Sequence, residues 1–300
     1  MNTYNYKAYG LKIQSEIELP ELTPYKGTPD VNIRIGNIKE KLHNPLKKGI
    51  RYEVNKSEFL LKLDNIARFY AKNGEEIIIE PFKNYDTDDL RLFLLGSVFG
   101  ALLHQRSHFV LHASTIETIK GAISFTGISG AGKSTLTKAF AKKGYKVLSD
   151  DVTSITFSEE EIPFVTPGFD KIKLWEDSAK HLGEDLKNAR RIRKEIQKYN
   201  IKLGDSFSET HKPLKAIFIL NTDNNEEITH KKIESFYKIQ ALINNTYRMN
   251  FIGGEESHEL HLKQCGKISS AVEIFRITRP KNKFVVEEMI ELIEKEMGNL

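Results

Sequence analysis

The stretch FTGISGAGKSTLTKAF, Phe125 to Phe140, decides the fold. An apolar run enters it, a glycine-rich turn breaks it, and a helical pattern continues through Lys143. The turn satisfies G-x-x-x-x-G-K-[ST] at Gly127, Gly132, Lys133 and Ser134, the pattern of a strand-loop-helix unit that wraps phosphate. Small residues at Ser129, Gly130, Ala131 and Gly132 let successive backbone N–H groups close on phosphate oxygens. Lys133 then reaches the β- and γ-phosphates, the Ser134 hydroxyl ligates Mg²⁺, and Thr135 continues the loop into the helix. The expected fold class is α/β, and the expected ligands are ATP and Mg²⁺.

A bound nucleotide is not yet a reaction. Phosphoryl transfer needs a carboxylate to hold the metal and often a second one to accept a proton from the attacking hydroxyl. LSDDV supplies Asp150 and Asp151, seventeen and eighteen residues after Lys133. Consecutive side chains on an ideal strand face opposite ways, so both reach one site only if the strand ends or bulges there. The alternative is that one aspartate is a turn residue and the other alone binds metal. His112, fifteen residues before Gly127 in FVLHAST, falls on a strand beside the loop strand. It reads either as a core histidine with a satisfied hydrogen bond or as a group that tunes a base or positions phosphate.

Close spacing of loop and acidic pair is shared by small-metabolite kinases and HPr serine kinases. The former usually begin with their loop, whereas 126 residues precede Gly127 here. His112, GISGAGKS, KKGY and VLSDDV, in that order over Phe109 to Ile155, resemble the HPr kinase catalytic domain. Through YGLKIQSEIELPEL, LHAS, PGFDKIKLW and FRITRP, nearly the whole chain is similar to HPr-kinase-like proteins found beside genes for ribosomally made peptides, lasso peptides among them. The resemblance implies an HPr-kinase-type P-loop catalytic domain, ATP-dependent phosphorylation of a serine hydroxyl on a peptide or protein, a ribosomal peptide precursor included, and symmetric oligomers. It matches His112, Asp150 and Asp151 to the family's polar catalytic set. On that reading Asp151 is the base, Asp150 and Ser134 organise Mg²⁺, Lys133 stabilises phosphate charge and His112 supports the pair; the two aspartates are interchangeable. Thr135 stands where HPr kinases typically carry Glu, and their later signature associated with dephosphorylation is not found, so a reverse activity is not expected. Two rival readings keep the same loop: a small-metabolite kinase, and a non-catalytic regulatory module governed by ATP occupancy.

Upstream, Tyr4 to Phe82 alternate with period two, as in DVNIRIG, and Asn73-Gly74 marks a tight hairpin turn. A largely antiparallel β-rich domain over residues 1–85, read as a substrate-recognition module, is expected to precede a catalytic domain over 86–300. Residues 86–107 read as a linking helix capped by Thr87, with Asp88 and Asp89 at its positive end. Its apolar run, Leu92 to Leu103, is short of the roughly 20 residues that cross a bilayer and reads as a buried helix. Downstream, YKVLSDDVTSITF reads as a strand, LKAIFIL and AVEIFRITR as two more, and Val285, Met289, Ile293 and Met297 as one face of a closing helix. Lys171 and Lys173 in TPGFDKIKLW either neutralise a transferring phosphoryl group or form the polar face of an amphipathic strand; Trp175 reads as packing. KNARRIRKEIQK, Lys187 to Lys198, is expected to be a helix whose Arg190, Arg191 and Arg193 are either solvated or clamp phosphate or peptide.

With 45 basic and 41 acidic residues the net charge is only +4, without the basic field of a nucleic-acid binder. A hydrophobic content of 39% suits a globular chain. The single Cys265 forms no internal disulfide and reads as a passive thiol in a reducing compartment. MNTYNYKAYGLKIQSE lacks the apolar core of a secretory signal, so a cytoplasmic protein without membrane or nucleic-acid partners is expected.

Overall fold

Period-two burial builds the first half of the chain. In Leu11–Ser15, positions 11, 13 and 15 are buried while Lys12 and Gln14 are half-exposed, the alternation of a sheet with one face on a core. The computed structural model describes residues 3–187, 189–193 and 195–299. It joins nine strands in the order Thr23–Pro24, Tyr4–Ala8, Leu11–Ser15, Val31–Ile35, Glu76–Pro81, Ala67–Lys72, Glu58–Leu63, Tyr52–Val54 and Lys47–Lys48. Neighbours are antiparallel except that Val31–Ile35 runs parallel to both of its partners. Asn73 and Gly74 make the expected turn, with φ of +56° and +69° and the Glu75 N–H donating to the Lys72 carbonyl at 3.1 Å.

The helical stretch that follows comprises Thr87–Phe93, a π-helical turn at Leu94–Val98 and Phe99–Gln105. Its cap is Asp86, not Thr87: the Asp86 carboxylate accepts from the Asp88 and Asp89 N–H groups at 2.9 and 3.4 Å, leaving Thr87 as the first helical residue. Leu90, Leu94, Val98, Phe99, Leu102 and Leu103 are fully buried against Phe59, Phe69, Ile77 and Ile79 of the sheet, together with Val110, Val152, Tyr247 and Phe251 from the second half. Each large side chain so buried stabilises the fold by about 1.5–3 kcal/mol. This helix therefore does more than link, since its core draws on residues from both halves. Among the described residues, no helix is long and apolar enough to cross a membrane.

A second nine-stranded sheet carries the phosphate-loop motif. Gly121–Thr126, Lys212–Asp223 and Glu273–Pro280 are neighbours and mutually parallel. Ile123, Phe125 and Phe218 pack on one face with the helices Lys133–Lys142 and Val286–Asn299. Ala122, Ile217 and Ile219 pack on the other with Phe236–Asn244 and Glu255–Ala271. The result is a mixed α/β layer structure. On the closing helix Met289 and Ile293 are buried as expected and Met297 is partly buried beside them, while Val285, partly buried too, lies one residue before the helix begins.

Three expectations need correction. YKVLSDDVTSITF is two strands, Lys146–Ser149 and Thr153–Phe157, broken at the aspartates. HFVLHAST is likewise interrupted at His112, between Phe109–Leu111 and Ala113–Thr118. Lys187 to Lys198, of which residues 188 and 194 lie outside the described residues, is not a helix but contributes to the strands Arg190–Arg193 and Ile196–Lys202. Ile196–Lys202 is the middle strand of a three-stranded sheet, pairing with Arg190–Arg193 on one side and Lys171–Trp175 on the other. A cationic run suits an exposed helix as well as a strand; hairpin pairing of the two strands, and of Ile196–Lys202 with Lys171–Trp175, overrides the local preference.

Candidate functional site

The loop strand Gly121–Thr126 is buried along its whole length and delivers the loop to the C-terminal edge of the parallel strands, where α/β sheets bind ligands. Gly127 holds φ at +138°, and a Cβ there would lie 2.3 Å from the Leu220 carbonyl oxygen, so the chain has no room for a larger residue. Gly132, at φ +104°, caps the helix Lys133–Lys142. A Cβ on Gly130 would meet nothing within 4 Å, leaving the crest of the loop open. Unpaired N–H groups at a helix N-terminus and a glycine-rich approach together suit phosphate oxygens. Lys133 is buried, and its ammonium donates to the carbonyls of Gly127 at 2.8 Å and Ile128 at 3.2 Å. Burial lowers its pKa, with Asp151 and Asp150 opposing that shift.

The break after Ser149 is what brings the acidic pair together. Asp151 sits in the left-handed region at φ +69°, a turn geometry that aspartate tolerates better than most residues. Asp150 is 8% exposed; its Oδ1 accepts from the Ser114 and Ser134 hydroxyls at 2.6 and 2.7 Å, and its Oδ2 from the Lys173 N–H at 2.8 Å. Asp151 lies nearer the opening, its Oδ2 3.0 Å from the Lys173 ammonium and its Oδ1 3.4 Å from His112 Nε2. Burial raises the Asp151 carboxyl, but Lys173 and the hydrogen bond from His112 outweigh it and hold the group well below the usual carboxylate range. Burial likewise lowers the Lys173 ammonium, and the neighbouring Asp151 more than reverses this.

His112 is neither a plain core residue nor loosely placed. Pairing of Ala113 with Thr126 puts it level with Gly127. Its backbone N–H donates to the Asn245 carbonyl at 2.9 Å, its own carbonyl accepts from the Thr126 hydroxyl at 2.8 Å, and the Tyr247 ring meets its imidazole edge-on at 5.6 Å.

A pocket of about 200 Å³ opens here, lined by Ser129 to Leu136, His112, Asp151, Lys173, Trp175, Lys198, Arg279 and Phe284. The Thr135 hydroxyl donates to Ser178 at 2.9 Å. Trp175 is not a packing residue: it is 45% exposed, with the Lys198 ammonium over its ring. The two lysines of KIKLW part company. Ile172 and Leu174 are buried, so the amphipathic strand turns Lys173 to the acidic pair, while Lys171 is 3.9 Å from Glu21. The amphipathic-strand reading holds, and the ammonium it turns inward pairs with Asp151. Arg190 and Arg191 border a neighbouring cleft, whereas Arg193 pairs with Asp89 at 3.0 Å, away from the loop.

Four contributors escape a reading of motifs. Ser114, two residues after His112 on the same strand face, was open to detection by period two. Arg279, whose Nε donates to the Ala131 carbonyl at 3.3 Å, ends a strand parallel to its neighbour in the loop-bearing sheet, a position that the strand-end rule points to. Asn245 and Tyr247 carry no local signal.

No family model matches the chain, and no curated protein matches it. Among solved structures, the chain is similar to one described as the Hpr(Ser) kinase/phosphatase from Coxiella burnetii, at 12% identity and a TM-score of 0.33, over 63% of this chain and 91% of that one. The likeness is distant.

Proposed function

We propose that the protein transfers the γ-phosphoryl group of ATP to a serine hydroxyl of a peptide or protein. The observation that carries this reading is the convergence of Ser134 on Asp150, with Asp151 beside it at the same opening. Binding alone would need the loop; a second carboxylate held at the mouth by Lys173 and His112 suits transfer. The motif resemblance to HPr kinases and to their relatives beside ribosomal-peptide genes supports serine as the acceptor, on a carrier protein or a peptide precursor.

The residues present fit Mg²⁺. Among the described residues no cluster of three or more His, Cys, Asp or Glu forms a metal cage; Mg²⁺ instead favours one or two carboxylates, a hydroxyl, waters and substrate phosphates. Asp150 and the Ser134 hydroxyl form such a set. When bound, the ion would neutralise charge on the β- and γ-phosphates.

The chain's own groups divide the remaining work. Loop N–H groups and Lys133, released from its carbonyl partners, bind the phosphates, with Arg279 at the rim. Asp151, ionised throughout the neutral range, orients the serine hydroxyl and accepts its proton as the serine oxygen bonds to the γ-phosphorus and the bond to the β–γ bridging oxygen breaks, releasing ADP. A carboxylate of low basicity suffices because the transition state is loose and the proton leaves late. Lys173 holds Asp151 in place and His112 braces its other oxygen.

The test is incubation with γ-labelled ATP, Mg²⁺ and serine peptides, followed by mass spectrometry. Phosphoserine is expected, reduced on the order of 10²–10³-fold by Ser134→Ala or Asp151→Asn. Label on a metabolite would favour the small-molecule rival, and ATP binding without transfer would favour the regulatory one.

A further inference from the structure

Beside the loop pocket lies a second, larger cleft of about 590 Å³, and Lys173 lines both. One wall is the three-stranded sheet. Its register aligns Lys173, Asn200 and Arg190 across the three strands, and places Lys202 opposite Lys171 in the next row. Cross-strand partners project from the same face, so this wall is a cationic lattice leading to Asp151. The facing wall comes from the N-terminal half, the helix Thr87–Phe93 and the π-helical turn after it, with Pro20, Leu92 and Leu95 as apolar surface and the carboxylates Glu18, Glu21 and Asp88 among them, Asp88 paired with Arg91.

Glu21 is the second clue. Its Oε1 is 3.1 Å from the Arg91 Nε and 3.9 Å from the Lys171 ammonium, yet its Oε2 is buried without a hydrogen-bond partner among the described residues. A buried acceptor of this kind calls for a donor. Arg190 is exposed and has no ionic partner among the described residues, so it offers the complementary function, a site for an anion.

We propose that this cleft binds the phosphoryl acceptor as an extended acidic peptide. The Glu21 carboxylate turns Oε2 to accept a backbone N–H of the peptide, acidic side chains lie on Arg190 and on Lys202, drawn from Asp170 at 3.9 Å, and the intervening serine reaches Asp151 past Lys173. The assignment rests on the kinase reading above and gives the N-terminal half a role in acceptor binding. A small hydroxy acid would satisfy the cations but brings no amide N–H for Glu21.

The experiment compares two fluorescein-labelled peptides, serine between aspartates and serine between lysines, by anisotropy and by label transfer from ATP. Wild-type protein is expected to bind the acidic peptide at least about tenfold more tightly. Arg190→Glu narrows that preference and the double variant Arg190→Glu, Lys202→Glu inverts it, a rescue of the basic peptide that a merely structural effect would not produce. Nucleotide-induced change in Trp175 emission reports that the variants are folded. An acidic preference that survives the double reversal overturns the cleft assignment, even if transfer to serine proceeds and the kinase reading stands. Charge-dependent peptide binding without any transfer upholds the cleft and removes the kinase reading.

Discussion

Lys173→Met is the most informative single change. It keeps the length of the side chain and the backbone N–H that binds Asp150, and deletes only the ammonium 3.0 Å from Asp151. Removing one partner of a fully buried pair costs about 3–5 kcal/mol, whereas an exposed pair is worth roughly 0.2–1 kcal/mol. The two side chains are 15% and 28% exposed, and His112 still supports Asp151. The expected loss is therefore intermediate, about 2 kcal/mol by urea unfolding at neutral pH with an unchanged m value. Asp151→Asn strands the ammonium in turn, while the double variant leaves no unpaired charge. The cycle should return a coupling of about 2 kcal/mol. Its pH dependence has a definite sign. The Asp151 carboxyl is held below its ordinary value of 3.8 in the folded state, so the stabilisation is complete above that value and fades as pH falls through the folded-state pKa. Additive single effects, with coupling below about 0.5 kcal/mol, would refute the argument that Lys173 holds Asp151 electrostatically.

Three further expectations follow from individual sites. His104, His108 and His261 are pushed by burial from 6.5 to about 4, so the unfolded chain takes up protons that the folded one refuses. Stability should fall on acidification below 6.5 by on the order of 1 kcal/mol per histidine at about pH 5.5, and urea midpoints that do not move would contradict this. Gly127→Ala places a methyl group against the Leu220 carbonyl at φ +138°. ATP titration of Trp175 emission should show affinity weakened at least about tenfold, and superimposable titration curves would count against the loop geometry. Burial pushes the Cys265 thiol up to about 12, so a disulfide reagent at mildly alkaline pH should label it only after unfolding. Rapid labelling of the native protein would show that the thiol is reached some other way.

Local chemistry made parts of this molecule legible from its residues. Gly127, Gly132, Lys133 and Ser134 act over a few consecutive positions, and Asn73-Gly74 turns the chain because those two residues tolerate positive φ. The Leu92 to Leu103 run is as buried as its composition suggests. The helix cap falls at Asp86, one residue before Thr87, because both are good caps and only backbone geometry chooses between them. The cationic stretch around Arg190 forms strands rather than a helix because its hairpin is completed by Lys171–Trp175, a strand from earlier in the chain.

Residue types alone point to a phosphate-loop motif and nominate His112, Asp150 and Asp151 as its partners, since such motifs depend on side chains at short, readable spacings. Tertiary structure decided whether they meet. The strand had to end at Ser149 for consecutive aspartates to share one opening, and Lys173 had to arrive on a strand from another sheet to bind them both. Asn245 and Tyr247 had to pack on the His112 break, and Glu21 had to face Lys171 across the cleft. Such contacts join positions far apart along the chain, so their geometry is set by the packing of whole sheets and helices, which no local pattern encodes.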